Sequence, residues 1–286
     1  MSRIIDAGPI ASQSATAAAA AAAKAGVRVV DEHDKLREVE ELLIRIWGMS
    51  PHGAPIPFDL LRSISHAGCN VTAAYDKAGE LCGAAVAIVS PGGAATYSLI
   101  AGVLPGTGDK GVGFALKQHQ RAWSLARGIK SMTWTFDPLV SRNARFNLTK
   151  LGAVALEYTQ NFYGVMEDDV NANDESDRLV ALWPLTSQRS IKASEGIVEE
   201  AQFDESTLGE AKAHGPDGTP VLYETDEAMW CRAPRDIVAL RASDNKQAAQ
   251  WRHQLRGILE PALASGHVAD GVTRSGWYRL SKTDQA

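Results

Sequence analysis

The sequence predicts an α/β protein, a mixed central sheet flanked by helices with a smaller α/β extension toward the C-terminus. Three observations predict it. Apolar, β-capable stretches at 27–30, 70–75, 81–89 and 94–103 are separated by turn chemistry at Asp76-Lys77-Ala78-Gly79 and Pro91-Gly92-Gly93. The last of them runs into V-L-P-G-T-G-D-K-G-V-G, residues 103–113, after which Val112, Leu116, Trp123 and Ala126 recur near helical spacing. A second helical stripe, Ala248, Trp251, Leu255, Ile258, Leu259 and Ala262, follows a capping-box pattern at Asp244-x-x-Gln247 and stops at Ser265-Gly266.

The remaining elements fall between these landmarks. Residues 17–23 are an unbroken alanine run without large apolar side chains, so residues 1–24 are expected to form a flexible tail. The run is too short and too weakly apolar to span a membrane, and only Arg3 gives its leading segment a positive charge, against Asp6. Helices are expected near 34–47 and 58–67. A strand over 130–136 alternates Met132, Trp134 and Phe136 before Asp137-Pro138 ends it, and a helix follows from Ser141. Strands near 156–165 and 178–184 complete the sheet. Residues 188–220 are mostly polar and compact structure resumes near Val221, which divides the chain into a tail (1–24), a main domain (25–187) and an extension (188–286).

Composition narrows the function classes. With 286 residues, 45% of them hydrophobic, the chain can bury a substantial core. A net charge of −5 and a pI near 5.8 argue against a broad phosphate-backbone footprint, so nucleic acid is not an expected partner. Cys69, Cys82 and Cys231 form no Cys-x-x-Cys pair and no zinc spacing, which predicts neither a disulfide scaffold nor a metal, and a reducing cytoplasm.

The glycine-rich stretch carries the chemistry. A helix opening near Gly111 presents N–H groups without intrahelical partners and the positive end of the macrodipole, and glycines let an anion approach the main chain. A Walker loop is excluded, because Gly111-Val112-Gly113 stands where Gly-Lys-Ser/Thr is required. Gly106, Gly108 and Gly111 satisfy G-x-G-x-x-G, with Asp137 as a candidate ribose-binding acid, so a nicotinamide oxidoreductase is one reading.

The other reading comes from several segments together. Val103-Leu104-Pro105 followed by Gly108-Asp109-Lys110-Gly111-Val112-Gly113 resembles the valine-x-proline strand end and pyrophosphate loop of the GNAT (Gcn5-related N-acetyltransferase) superfamily. Gly108 replaces the usual Arg or Gln, and Asp109 places an acid in the loop. Ser141-Arg142-Asn143-Ala144 through Lys150-Leu151-Gly152-Ala153 resembles the family's Asn-containing helix, with Ala153 for the usual aromatic and Leu148 where many members carry a general-acid tyrosine. The resemblance covers roughly 27–186. Trp251-Arg252, Gly266-His267-Val268 and Trp277-Tyr278-Arg279-Leu280 resemble the tail of a long branch of the same family.

The resemblance implies an N-acyltransferase that uses acetyl-CoA or another short acyl-CoA, succinyl-CoA included, as cosubstrate, with a small amine or amino acid as acceptor. It implies a soluble cytoplasmic enzyme without metal. The extension could pack on the core, form a homodimer contact or line the acceptor pocket, and the sequence does not choose among the three. Ala101, Gly102 and Val103 would bind pantetheine and polarise the thioester carbonyl, a contribution of about 3 to 4 kcal/mol of barrier per N–H donor. Gly108, Asp109, Lys110, Gly111, Val112 and Gly113 would hold pyrophosphate, and Asn143 and Asn147 would contact pantetheine. Asp137 is the first candidate for the general base, although an ordinary carboxyl pKa near 4 suits that role only if burial raises it. Tyr163, ahead of Tyr158, is the candidate acid for the CoA thiolate. Arg142 and Arg145 could clamp a carboxylate. Trp47-Gly48-Met49, His52 and His66 are candidates for the acceptor wall, and His119 reads as a boundary residue. The departures at Gly108, Asp109 and Leu148 favour a rival reading, a degenerate acyl-CoA-binding protein without turnover.

Overall fold

The computed structural model describes residues 8–24, 26–48, 53–106, 111–164 and 174–282. The chain forms two compact units, Met1–Trp134 with Pro184–Ile197, and Thr135–Trp183 with Val198–Ala286. This division differs from a break at 187/188. Strand β6 (Val154–Thr159) pairs with β11 (His267–Val272) at Ala155 and Ala269, and the Thr149 hydroxyl exchanges hydrogen bonds with the Val272 backbone at 2.8 and 2.9 Å. Composition along the chain carries no trace of such long-range pairing.

In the first unit β1 (Val27–Val29), β2 (Asn70–Tyr75), β3 (Leu81–Val89) and β4 (Thr96–Val103) form an antiparallel meander, and β4 runs parallel to β5 (Ser131–Phe136). On one face α2 (His33–Trp47) and α3 (Phe58–His66) contribute Leu36, Val39, Leu42, Leu43, Leu61 and Ile64 to a core with Val71, Ala73 and Val86. Each of these leucines contributes about 1.5 to 3 kcal/mol on burial. Helix α2 ends where Gly48 takes a left-handed φ of 63° and returns its N–H to Ile44 O.

On the other face lies α4 (Val112–Leu125), with Leu116 against Ala74, Cys82 and Ala85. The approach is close because β3 carries Gly83 there: a Cβ at that position would lie 3.1 Å from Val112 Cγ1 and 3.2 Å from Leu116 Cδ1.

Residues expected to form a flexible tail are instead helix α1 (Gly8–Lys24), which packs on α4 and on α6 (Gln188–Ser194). Ala11, Ala15 and Ala22 share its buried side, and small side chains permit the short helix–helix distance. Polar contacts complete the docking: Arg121 of α4 donates through Nε to Leu185 O at 2.9 Å and through its NH2 group to Ser14 Oγ at 3.0 Å.

The second unit is an antiparallel sheet in the order β7 (Arg178–Pro184), β6, β11, β12 (Trp277–Lys282), β10 (Ala228–Arg232), β9 (Pro220–Glu224) and β8 (Ala213–His214). Helix α8 (Asn245–Ala264) buries the stripe expected from its sequence, and Asp244 caps it by accepting from Gln247 N at 2.9 Å. Helix α7 (Ile237–Ser243) precedes it. Phe203, Tyr223, Trp230 and Trp277 pack with ring centroids 4.5 to 5.9 Å apart. Strand β6 begins two residues earlier than expected. It ends at a turn in which Asn161 is the one non-glycine residue with positive φ (45°) among the described residues.

Replacing Arg121 with Met should cost about 2 to 3 kcal/mol, because it removes charged donors from buried carbonyl and hydroxyl acceptors. Amide exchange across 8–24 should accelerate more than across β2 and β3; equal protection of α1 in the variant would show that the alanines alone hold it.

Candidate functional site

Strand β4 is the organising element of the candidate site. Its ladder to β3 pairs Ala87 with Ser98 and then Val86 with Ile100, so Leu99 is an extra residue, a β-bulge. The bulge switches side-chain parity. Before it Thr96 and Ser98 face α4, bonding Ser124 and Gln120; after it Ile100 joins the α2/α3 core while Val103 joins the α4 side. Leu99 is left exposed. Pairing of β4 with β5 runs over Thr96↔Met132 and Tyr97↔Thr133, at the start of both strands. From Ser98 to Val103 β4 continues its ladder with β3 alone among the described residues. That edge therefore offers main-chain N–H and C=O groups to a ligand.

Of the residues expected to bind pantetheine, Ala101 is exposed, Val103 is half-buried and Gly102 is buried under Trp47. A Cβ on Gly102 would lie 2.7 Å from Trp47 Cζ3, so only glycine lets the indole lie against the strand. Trp47 thus lies against β4; Met49 and His52 lie outside the described residues, and His66 is exposed at the end of α3.

The chain leaves β4 through a turn at Pro105-Gly106. Gly108, Asp109 and Lys110 lie outside the described residues. Gly111 has φ 79° and precedes α4 as its cap residue, and its carbonyl accepts from Ala115 N. The N–H groups of Val112 and Gly113 therefore open the helix, and no acidic side chain in the first turn competes for them.

Asp137 and its neighbours belong to the second unit. Its Oδ2 accepts from the NH2 groups of Arg241 (2.6 Å) and Arg252 (3.1 Å), while Oδ1 accepts from Leu139 N (2.9 Å). Asp174 shares both arginines, at 2.7 Å from Arg252 and 2.9 Å from Arg241. Burial alone would raise the Asp137 pKa, but Arg252 and Arg241 outweigh it and hold the carboxyl below its ordinary range. This argues against Asp137 as general base, because the carboxylate is bound up in a charge cluster that holds it ionised and hydrogen-bonded.

Tyr158 donates to Asp177 Oδ2 at 2.5 Å; burial and Asp177 together raise its pKa, so it stays protonated as a structural donor. Tyr163 is half-exposed, with its hydroxyl 3.2 Å from Thr135 Oγ1 and its ring 5.2 Å from the Arg178 guanidinium. Asn147 is buried and donates to Asn143 Oδ1 at 3.5 Å from a π-helical turn, Phe146–Lys150, that continues helix α5 (Ser141–Arg145). Leu148 is fully buried beside it. Arg145 is paired with Glu200.

Sequence reasoning missed Lys117, which is 4% exposed. Its Nζ donates to Ser98 Oγ at 2.8 Å and lies 3.9 Å from the centre of the Trp134 ring, and burial pushes its pKa down to about 7. Lys117, Gln118, Gln120 and Arg121 look like a solvated helix face in sequence; α1 and the sheet bury them. One signal was available. Strands β1 to β5 and helices α1 and α4 contain no Asp or Glu. Among the described residues no group of three or more His, Cys, Asp or Glu could hold a metal, and no helix is long and apolar enough to cross a membrane.

No protein-family model matches the chain, and no curated protein matches it. Among solved structures, the chain is similar to a GNAT-superfamily phosphinothricin acetyltransferase from Sinorhizobium meliloti in complex with AcCoA, with a TM-score of 0.46 and 17% identity over 56% of this chain and 88% of that one. It is similar also to a GNAT-family acetyltransferase from Streptococcus pneumoniae (TM-score 0.46, 12% identity, 55% and 96% covered). An N-acetyltransferase from Staphylococcus aureus is a third (TM-score 0.45, 13% identity, 56% and 97% covered). The functional reading rests on the chain's own residues and geometry.

Asp137→Asn should destabilise the protein by about 3 to 5 kcal/mol, because it leaves two buried guanidiniums short of an anion. A carboxyl with a depressed folded pKa contributes stability above its ordinary value and loses it as pH falls through the folded one, so the variant should also lose part of the acid-side slope of stability between about pH 2 and 5. Urea denaturation across that range reads both effects. A variant as stable as wild type would remove Asp137 from the cluster's essential anions.

Proposed function

We propose that the chain is an acyl-CoA-dependent N-acyltransferase of the GNAT type, transferring an acetyl or other short acyl group to the amine of a small molecule or amino acid by direct attack. One observation carries this reading: a bulged strand parts from its parallel neighbour after two residue pairs and runs, through a glycine-rich turn, to the N-terminus of a helix with no acid in its first turn. Such a strand edge offers N–H donors to a thioester carbonyl and C=O acceptors to the pantetheine amides, while the helix start favours pyrophosphate. The motif match over 103–113 and 141–153 supports the same assignment. Asn143 and Asn147 remain proposed for the pantetheine side and Tyr163 for the thiolate acid.

A second reading, acyl-CoA binding without turnover, is favoured by Leu148 at the position of the family's acid and by the bound-up Asp137. Turnover separates the two. Acetyl-CoA, succinyl-CoA and NAD, each added to the full chain, distinguish ligands by thermal unfolding: a thioester at about 100 times its Kd should add about 2.7 kcal/mol, and NAD should add nothing. Stabilisation by NAD alone would sink the acyltransferase reading. Gly102→Val should weaken acyl-CoA binding about tenfold by driving Trp47 off β4, measured by calorimetry; unchanged affinity would place the pantetheine elsewhere.

A further inference from the structure

The second unit carries a groove of about 350 Å³ between the segment 202–208 and the turn that joins β9 to β10. Its apolar lining is Phe203, Leu208 and Trp230, and its carboxylates are Asp204, Asp226 and Glu227. The aromatic part is set before any ligand arrives: the Phe203 ring lies 4.7 Å from that of Trp230 and 4.5 Å from that of Trp277, and Tyr223 packs behind them. Trp230 is 7% exposed and lines the groove with what remains of its surface.

The charge around this groove is out of proportion to the rest of the chain. Segment 199–227 holds nine acidic residues against Lys212, a net charge of −8, whereas the whole chain carries −5 and its other residues therefore sum to +3. Glu200 is taken up by Arg145 and Arg274. Asp204 accepts from Ser206 N at 3.0 Å and from the Ser206 hydroxyl at 2.6 Å, bonds that hold its carboxyl below the ordinary range and keep it ionised. Asp226 and Glu227 are exposed in the hairpin turn on the other side of the aromatic rings. Aromatic rings attract a cation, and carboxylates on two sides of an apolar floor suit two positive charges joined by an apolar spacer. A neutral ligand would take water from the carboxylates and give nothing back. A bare metal ion does not fit either, because among the described residues no group of three or more His, Cys, Asp or Glu could hold one.

We propose that this groove binds a linear organic polycation, primary ammonium groups joined by short alkyl spacers, with a spacer against Phe203 and Trp230 and ammonium groups at Asp204 and at the Asp226-Glu227 turn. The site lies wholly within the second unit and does not rest on the acyltransferase reading.

The test titrates the full chain with spermidine by calorimetry, beside Mg²⁺ at matched ionic strength. The wild-type chain should bind spermidine with a Kd below about 1 mM, and the indole N–H signal of Trp230, assigned by NMR with Trp230→Phe, should shift with spermidine and not with Mg²⁺. Asp226→Asn combined with Glu227→Gln, both in an exposed turn, should weaken binding about tenfold. Glu210→Gln combined with Glu224→Gln removes the same two charges from the segment but not from the groove, and should leave the Kd within about twofold. Phe203→Leu, which keeps an apolar side chain, should weaken binding about threefold; should it fail to fold, the two double variants decide. Absence of spermidine binding overturns the proposal, as does a Trp230 signal that moves equally with Mg²⁺. Equal losses in the two double variants also overturn it, because they would reduce the effect to general attraction toward an acidic segment.

Discussion

Strand β4 is hydrogen-bonded on both sides for only two residues, and the first unit is arranged around that constraint. A strand that leaves its neighbour inside a sheet must either bend back or have its polar edge met by something other than a strand. Here both faces of β4 are held. Trp47 lies against Gly102 on the α2 side, and Lys117 ties Ser98 on the α4 side. The bulge at Leu99 makes this possible, because it lets residues on either side of it address opposite layers.

The two units handle buried charge in contrasting ways. In the second, Asp137, Asp174, Arg241 and Arg252 neutralise one another completely, and Arg256 pairs with Asp177, which also accepts from Tyr158. Such a cluster fixes geometry and resists titration, since every oxygen that could take a proton already accepts from a guanidinium or a backbone N–H. In the first unit Lys117 is buried against Ser98 and Trp134, and Arg121 is buried with Glu195 at the end of α6 acting on it. Burial pushes the Lys117 pKa down to about 7.

Much of the fold was legible because its signals are local. The turns at 76–79 and 91–93, the proline and glycines after β4, and the stripe of α8 each mark an element from a few neighbouring residues, and β2, β3 and α8 stand where those signals put them. What escaped depends on distant partners. Asp137 reads as a free strand-end acid until Arg241 and Arg252, more than a hundred residues away, are brought to it. Lys117 and Arg121 read as solvated until α1 covers the helix that carries them. The start of β6 was placed late because Val154 and Ala155 pair with β7 and β11 rather than showing any alternation of their own.

Helix α1 shows how unequal the layers are. It covers the polar side of α4 with alanines, which bury little apolar area, so its attachment rests on a few directed hydrogen bonds rather than on the hydrophobic effect. Contacts of that kind break together. The outermost layer of the first unit can therefore open as one piece at a small fraction of the free energy needed to unfold the sheet, admitting water to Arg121 while the α2/α3 core stays closed.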